Sequence, residues 1–308
     1  MAKKAIIIGC AGFAGSFLTR FLLERGWQVY GGYNRRKPQF DQHPGFSTLL
    51  QDITGPLPSI PSADLLIHTS AVVTGMGASA SDFFAVNTHG CVKVAQIARA
   101  SGCKNLIHLS STAVYGQVAG GALLESTPVG APEPYGLSKY LGESVLADCN
   151  PNWNTFVLRL PGVLGLGSHC YKSWLSTRIR DAFENKLLLY FNGSGLFNHL
   201  IDLQTLADFV AWVTEREFEP GFRVLNFAAR QPMVLEQVMA MICRRAGCST
   251  PAREVPNPHA VSSWLGLDRL TNQLGFVPPD TSTILLRFMD QLQAAKARGL
   301  DPESINAL

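Results

Sequence analysis

The chain has 308 residues, with 26 lysines and arginines against 23 aspartates and glutamates, for a formal net charge of +3. Hydrophobic residues make up 46% and charged residues only 16%, a balance that excludes a disordered or fibrous chain and gives no reason to expect nucleic acid or an anionic membrane as partner. The length suits one large α/β domain or two modest ones, and no apolar run approaches the ~20 residues that span a bilayer.

Two lysines lead into a short apolar run, and Ala5–Gly9 predicts a first strand. Phe13–Arg25 sets Phe13, Phe17, Leu18, Phe21 and Leu22 on one helical face. Gln28–Tyr33, Phe46–Leu50, Asp64–His68, Lys104–Leu109 and Thr155–Leu160 read as further strands, with helices over Asp82–Ala100 and Tyr135–Asp148. Buried strands alternating with helices predict βαβ units: an α/β, Rossmann-type doubly wound parallel sheet. Beyond about Gly162 the rhythm weakens. Glycine-broken loops at Gly165, Gly167, Gly193 and Gly195, short helices and the prolines Pro251, Pro256 and Pro258 suggest a smaller C-terminal lobe, closed by a helix over Ile284–Arg298. The expected division is a dinucleotide-binding domain over 1–161 and a mostly substrate-binding lobe over 162–308, with some segments returning to the first domain. Seven scattered cysteines without a CxxC pair, and no histidine cluster, predict free buried thiols and no metal. With no signal-peptide core at the N-terminus, they point to the cytoplasm.

Directly after the first strand comes Gly9-Cys10-Ala11-Gly12-Phe13-Ala14-Gly15, then an amphipathic helix. Such glycines let the backbone turn tightly and approach a pyrophosphate, which the helix N-terminus attracts. Where an NAD-selective site carries an acidic residue, about 20 residues on, this chain reads Asn34-Arg35-Arg36-Lys37. Three cations without a carboxylate suit a 2′-phosphate, so NADP(H) is favoured over NAD(H).

Tyr135-Gly-Leu-Ser-Lys139 sets a phenol and an ammonium one helical turn apart on one face. A phenol with a pKa near 10 is a poor base at neutral pH, and a neighbouring cation lowers that value. Upstream, Leu109-Ser110-Ser111-Thr112-Ala113-Val114-Tyr115-Gly116 closes a strand with hydroxyls that can hydrogen-bond a substrate oxygen.

Glycine turn, strand-end hydroxyls and YxxxK, in this order, resemble the extended short-chain dehydrogenase/reductases of the NAD(P)-dependent epimerase/dehydratase family over nearly the whole chain. Further matching segments are Gln51-Asp52-Ile53, Asp64-Leu-Leu-Ile-His-Thr-Ser70-Ala71, Val86-Asn87-Thr-His-Gly90, Leu158-Arg159-Leu-Pro161-Gly162-Val-Leu-Gly165 and Leu267-Asp268-Arg269-Leu270 before Leu274-Gly275-Phe276. The resemblance implies that Tyr135 is the general acid/base, Lys139 its electrostatic partner, and Ser111 the hydrogen bond to substrate. It implies cofactor contacts at Gly9, Gly12, Phe13, Ala14, Gly15, Asn34, Arg35, Arg36, Asp52, Ile53, Ser70, Ala71, Tyr135, Lys139 and Pro161. Substrate contacts are expected from Val73, Ser111, Thr112, Gly162 and Lys172. Asn87 is expected to be a structural amide, and His68, His108 and His199 to be satisfied core or loop residues. Helix pairing within the family implies a homodimer.

The implied activity is hydride transfer at a secondary alcohol or ketone carbon, most simply of a nucleotide-linked sugar. Asn198 and Thr205 fall where sugar-nucleotide epimerases carry an Arg and an Asp, leaving Lys172, Arg178 and Arg180 as substitutes. These departures keep open an NADPH-dependent reductase of a small or apolar ketone. A non-catalytic NADP-sensing regulator is a further alternative, though such proteins typically lose the Tyr/Lys pair kept here.

Overall fold

The computed structural model describes residues 2–50, 52–75, 77–149, 152–257 and 261–304; Gln51 and Pro258 lie outside them. Contacts divide the chain into two compact units, Met1–Gln117 with Pro128–Arg159 and Leu206–Leu225, and Val118–Thr127 with Leu160–Thr205 and Asn226–Leu308. The two are interleaved: the second borrows ten residues, 118–127, from inside the expected first domain.

The first unit is built on strands β1 (Lys4–Ile8), β2 (Gln28–Gly32), β3 (Phe46–Leu50), β4 (Leu65–His68), β5 (Asn105–Ser111), β6 (Asn154–Leu160) and β7 (Gly221–Asn226). Their order in the sheet is β7-β6-β5-β4-β1-β2-β3. The pairs β1–β2, β1–β4, β2–β3 and β4–β5 run parallel. Apolar runs make these strands because helices cover both faces: Ile6, Ile7, Leu65, Leu66 and Ile67 are fully buried. Winding in both directions from β1 puts the switch point between β1 and β4, where such sheets bind ligands at the strand ends.

Helix α1 (Phe13–Leu23) follows β1. The helix expected over Asp82–Ala100 is broken into three: a turn at Ala80–Phe83, a π-helical segment at Phe84–His89, and α2 (Gly90–Ser101), which ends at Gly102 in the left-handed conformation. The Asn87 amide lies in the π segment and is fully buried. It accepts from Val72 N–H (2.9 Å) and donates to Val72 O (2.9 Å) and Ser138 Oγ (3.0 Å). The widened turn thus carries a clip between the loop after β4 and α3 (Pro134–Asp148). Pro134 starts α3 at a position where its missing N–H costs nothing.

In the second unit, Gly162–Leu164 pairs in parallel with Leu200–Asp202, and Gly121–Leu123 with Ser263–Leu265. Its helices are α4 (Trp174–Phe183), the start of α5 (Leu203–Thr214), α6 (Leu235–Ala246) and α7 (Thr281–Ala297). Asn198, fully buried, donates to Ala229 O and Leu265 O and accepts from Leu265 N–H. Arg287 clamps Asp202 at 2.7 and 2.8 Å and Thr205 Oγ1 at 2.9 Å. No helix among the described residues is long and apolar enough to cross a membrane.

Candidate active site

The glycine turn leaves β1 at Gly9, whose φ of +95° suits glycine, and closes on Gly15. A Cβ on Gly15 would stand 2.0 Å from Gly9 O, so α1 and the turn approach as only glycine allows. A Cβ on Gly12 would meet only Gly9 O, at 3.2 Å. That position opens onto space, and no side chain caps the start of α1 at Gly12. A helix N-terminus left to other partners beside an open glycine is what a dinucleotide pyrophosphate requires, so these residues fit the expected cofactor. Gly12, Phe13, Ala14 and Gly15 would hold it, with Ser70 and Ala71 half-buried at the end of β4. Asn34, Arg35 and Arg36 form an exposed turn after β2. Asp52 is exposed and accepts from Thr54 N–H and Oγ1, while Ile53 is buried in the core around Leu50, Cys91 and Val94.

The catalytic candidates meet between β5 and α3. Ser111 ends β5 and caps the 3₁₀ turn Thr112–Tyr115 by accepting from Ala113 N–H (3.1 Å). Its hydroxyl lies near enough to the Tyr135 phenol to favour the ionised form. Gly136 allows this meeting, since a Cβ there would lie 2.1 Å from Ala113 O. Phe83 packs edge-on against the Tyr135 ring at 5.9 Å. Thr112 is half-buried beside the pair, and Val73 is half-buried on the loop after β4.

Lys139 lies one turn along α3 from Tyr135. Its ammonium is buried, donates to Leu109 O at 2.7 Å and faces His108 Nε2 at 3.4 Å. In the chain alone, burial raises the Tyr135 pKa above its ordinary value, and the bond from Ser111 is what opposes the rise. Burial also lowers the Lys139 pKa, against the raising effects of Cys91 and Glu143.

Behind the pair, Glu143 on α3 accepts from Ser110 Oγ and forms a buried ion pair with Arg159 at 2.8 Å. Burial works against the Arg159 charge, but Glu143 and Tyr115 more than offset it and hold the pKa above the usual value. Its guanidinium lies 4.9 Å from the Tyr115 ring. Sequence reasoning missed Glu143, Ser110 and Gly136. For Gly136 the signal was present, a glycine directly after the candidate tyrosine.

In the second unit, Pro161 and Gly162 follow β6 and are half-buried. A Cβ on Gly162 would sit 2.8 Å from Ser173 Cβ, so Ser173 occupies the space a side chain would take. Lys172 is exposed, whereas Arg178 and Arg180 pair with Asp181 at 3.7 and 3.8 Å. Trp174 packs against Phe191 and Phe197, and His199 faces Ser263 O at 2.9 Å.

A doubly wound sheet with a glycine turn at its switch point and a Ser–Tyr pair at the end of the next strand has the fold of an extended short-chain dehydrogenase/reductase. Residues 5–221 match the NAD dependent epimerase/dehydratase family, and the chain belongs to it. It is 30% identical over 190 residues to a UDP-glucose 4-epimerase of Bos taurus, covering 54% of this chain and 55% of that protein. The chain thus spans about half the length of that relative. Against the UDP-glucose 4-epimerase of Pongo abelii the identity is 29%, over 89% of this chain and 96% of the relative. Among solved structures, a UDP-glucuronic acid 4-epimerase from Bacillus cereus in complex with NAD superposes with a TM-score of 0.77 at 20% identity, covering 94% of this chain and 99% of that one. At that identity the likeness shows the fold.

Proposed function

We propose that this chain is an NAD(P)-dependent nucleotide-sugar epimerase that inverts a secondary carbinol of the sugar. The observation that carries the reading is the meeting of Ser111, at the end of β5, with Tyr135 at the start of α3, in a unit whose glycine turn fits a dinucleotide. The epimerases named above support the nucleotide-sugar class. A bound nicotinamide would supply the acceptor and donor of hydride. The chain's own part is proton handling and alignment. Tyr135 Oη takes the proton of the sugar hydroxyl and later returns it. Ser111 holds the same oxygen, and the Asn87 clip fixes α3 against the loop after β4. Purified protein should retain dinucleotide and convert UDP-glucose to its 4-epimer without net consumption of cofactor. Stoichiometric NADPH oxidation with an apolar ketone, and none of the sugar reaction, would replace this reading with the reductase one.

For the cofactor, exposed Arg35 and Arg36 with no acid beside them support a 2′-phosphate, although the solved relative named above holds NAD. In titrations of the apoprotein, Arg35→Glu should weaken NADPH by about tenfold or more and leave NADH nearly unchanged. Equal losses would assign the arginines to the solvated surface. Leu137 and Leu141, 36% and 38% exposed one turn apart on α3, support a homodimer through that helix, to be read by light scattering. Seven free cysteines, five of them buried, support a reducing compartment, the cytoplasm, which cell fractionation tests.

A further inference from the structure

Two buried histidines have no part in the chemistry described so far. His68 closes β4 and His108 lies opposite it on β5 in the parallel register. Both are almost wholly buried, at 1% and 0% exposure. Their Nδ1 atoms stand 2.8 Å apart, with ring centroids separated by 4.8 Å. On one side His108 Nε2 faces Lys139 Nζ at 3.4 Å, and on the other His68 Nε2 faces Ser70 Oγ at 2.9 Å. Four side chains from β4, β5, α3 and the loop after β4 thus form one unbroken line. The line ends against the glycine turn, because a Cβ on Gly9 would lie 2.6 Å from Ser70 N.

The direction of the line follows from its donors. An ammonium can only donate, so His108 Nε2 accepts. The proton of neutral His108 then sits on Nδ1 and is given to His68 Nδ1. His68 consequently carries its proton on Nε2 and gives it to Ser70 Oγ. Both rings stay neutral because burial pulls their pKa values down, that of His68 to about 3 and that of His108 well below 6.5, with Lys139 adding to the effect in both. The titratable groups facing the pair are Lys139 on α3 and Cys91 on α2, and Glu143 on α3 acts on both of these. Cys91 with the two histidines also forms the chain's one three-residue set of possible metal ligands among the described residues. A cation is disfavoured there. The two nitrogens share a proton at 2.8 Å, the Cys91 thiol donates to Asn87 O and is pushed up to about 12, and an ammonium stands alongside.

We propose that His108 and His68 form a buried proton relay from Lys139 Nζ to the Ser70 hydroxyl, connecting the acid/base helix to the edge of the dinucleotide cradle. Four transfers make one passage. A Lys139 N–H breaks as His108 Nε2–H forms, His108 Nδ1–H breaks as His68 Nδ1–H forms, and His68 Nε2–H breaks as a Ser70 O–H forms. The original Ser70 proton leaves to water. Lys139 is left as the neutral amine, one proton has reached water, no electron moves, and the histidines end in the opposite tautomers. Passage the other way restores them. The role fits Lys139, whose ammonium is buried and has no exposed face of its own through which to exchange protons with solvent, whereas Tyr135 is only half-buried. His68 and His108 would be positioning and relay residues, acting through Lys139. The proposal rests on reading Tyr135 and Lys139 as the acid/base pair, but its test does not need a substrate.

The test is nitrogen-15 NMR on the labelled full-length protein at neutral pH. Expected are a bare Nε2 on His108, a bare Nδ1 on His68, and a scalar coupling across the Nδ1–H···Nδ1 bond. Exchange of the Lys139 ammonium protons into deuterated water should slow by about tenfold or more in His108→Gln and in Ser70→Ala, with melting temperatures kept close to wild type. Ser70→Ala changes only a half-buried loop hydroxyl, so the test stands if His108→Gln fails to fold. The reverse tautomers, or unchanged exchange in a folded variant, would overturn the relay. If Tyr135→Phe keeps full turnover while the exchange result holds, the acid/base reading falls and the relay remains.

Discussion

Ser111 uses its one oxygen twice. It accepts from Ala113 N–H, and its own proton remains available to the nearby Tyr135 phenol. A donated bond favours the phenolate, and for this phenol it opposes the larger upward effect of burial. Removing it raises the pKa further. In Ser111→Ala the rise of kcat/KM with pH, which tracks phenol ionisation, should move to higher pH, and turnover at neutral pH should fall by about 10²-fold. Dinucleotide affinity should stay near wild type. A pH–rate profile checks both parts, and an unmoved limb would mean that Ser111 serves only the 3₁₀ turn.

At the scale of elements, α3 is held by more than apolar packing. Glu143, one turn after Lys139, accepts from Ser110 on β5 and pairs with Arg159 on β6, so a single carboxylate ties the helix to two strands. Glu143→Gln preserves shape but leaves a buried guanidinium without its counter-charge, which costs about 3–5 kcal/mol. Urea unfolding should show that loss, and a change under about 1 kcal/mol would show that water reaches the pair. Spacing made part of this legible in advance. The glycine turn, Ser111 and the Tyr135–Lys139 pair lie at intervals set by one strand or one helical turn, and six sheet strands appear as apolar runs. β7 was not legible, since Gly221–Val224 are only half-buried and carry an arginine. The break at Phe84–His89 was hidden as well, because it follows from Asn87 bonding across 15 residues to Val72. His68 and His108 read as satisfied core residues from their apolar neighbours. Their pairing depends on strand register across 40 residues, which periodicity does not encode.

That pairing has a consequence for the whole molecule, because neutral buried imidazoles couple its stability to pH. An unfolded histidine takes a proton near its ordinary value of 6.5, whereas folded His68 does so only at about 3 and folded His108 also well below 6.5. Across that window the unfolded chain binds more protons, so stability rises with pH and falls on acidification. Each such group contributes at most about 1.4 kcal/mol per pH unit between its unfolded and folded values. Burial lowers the pKa of His199 in the second unit in the same direction. The carboxylates held low, Asp82, Glu184 and Asp301, act in the same sense but in a more acidic range, below the ordinary values of 3.8 and 4.5. Acid loss should therefore begin near pH 6.5 in melting curves of the intact chain. His68→Gln, which removes one titrating ring and keeps a polar partner for Ser70, should make the slope between pH 6.5 and 5 shallower. A wild-type melting temperature that stays flat over that interval would mean that the rings are protonated in the folded protein, and the buried neutral pair would have to be abandoned.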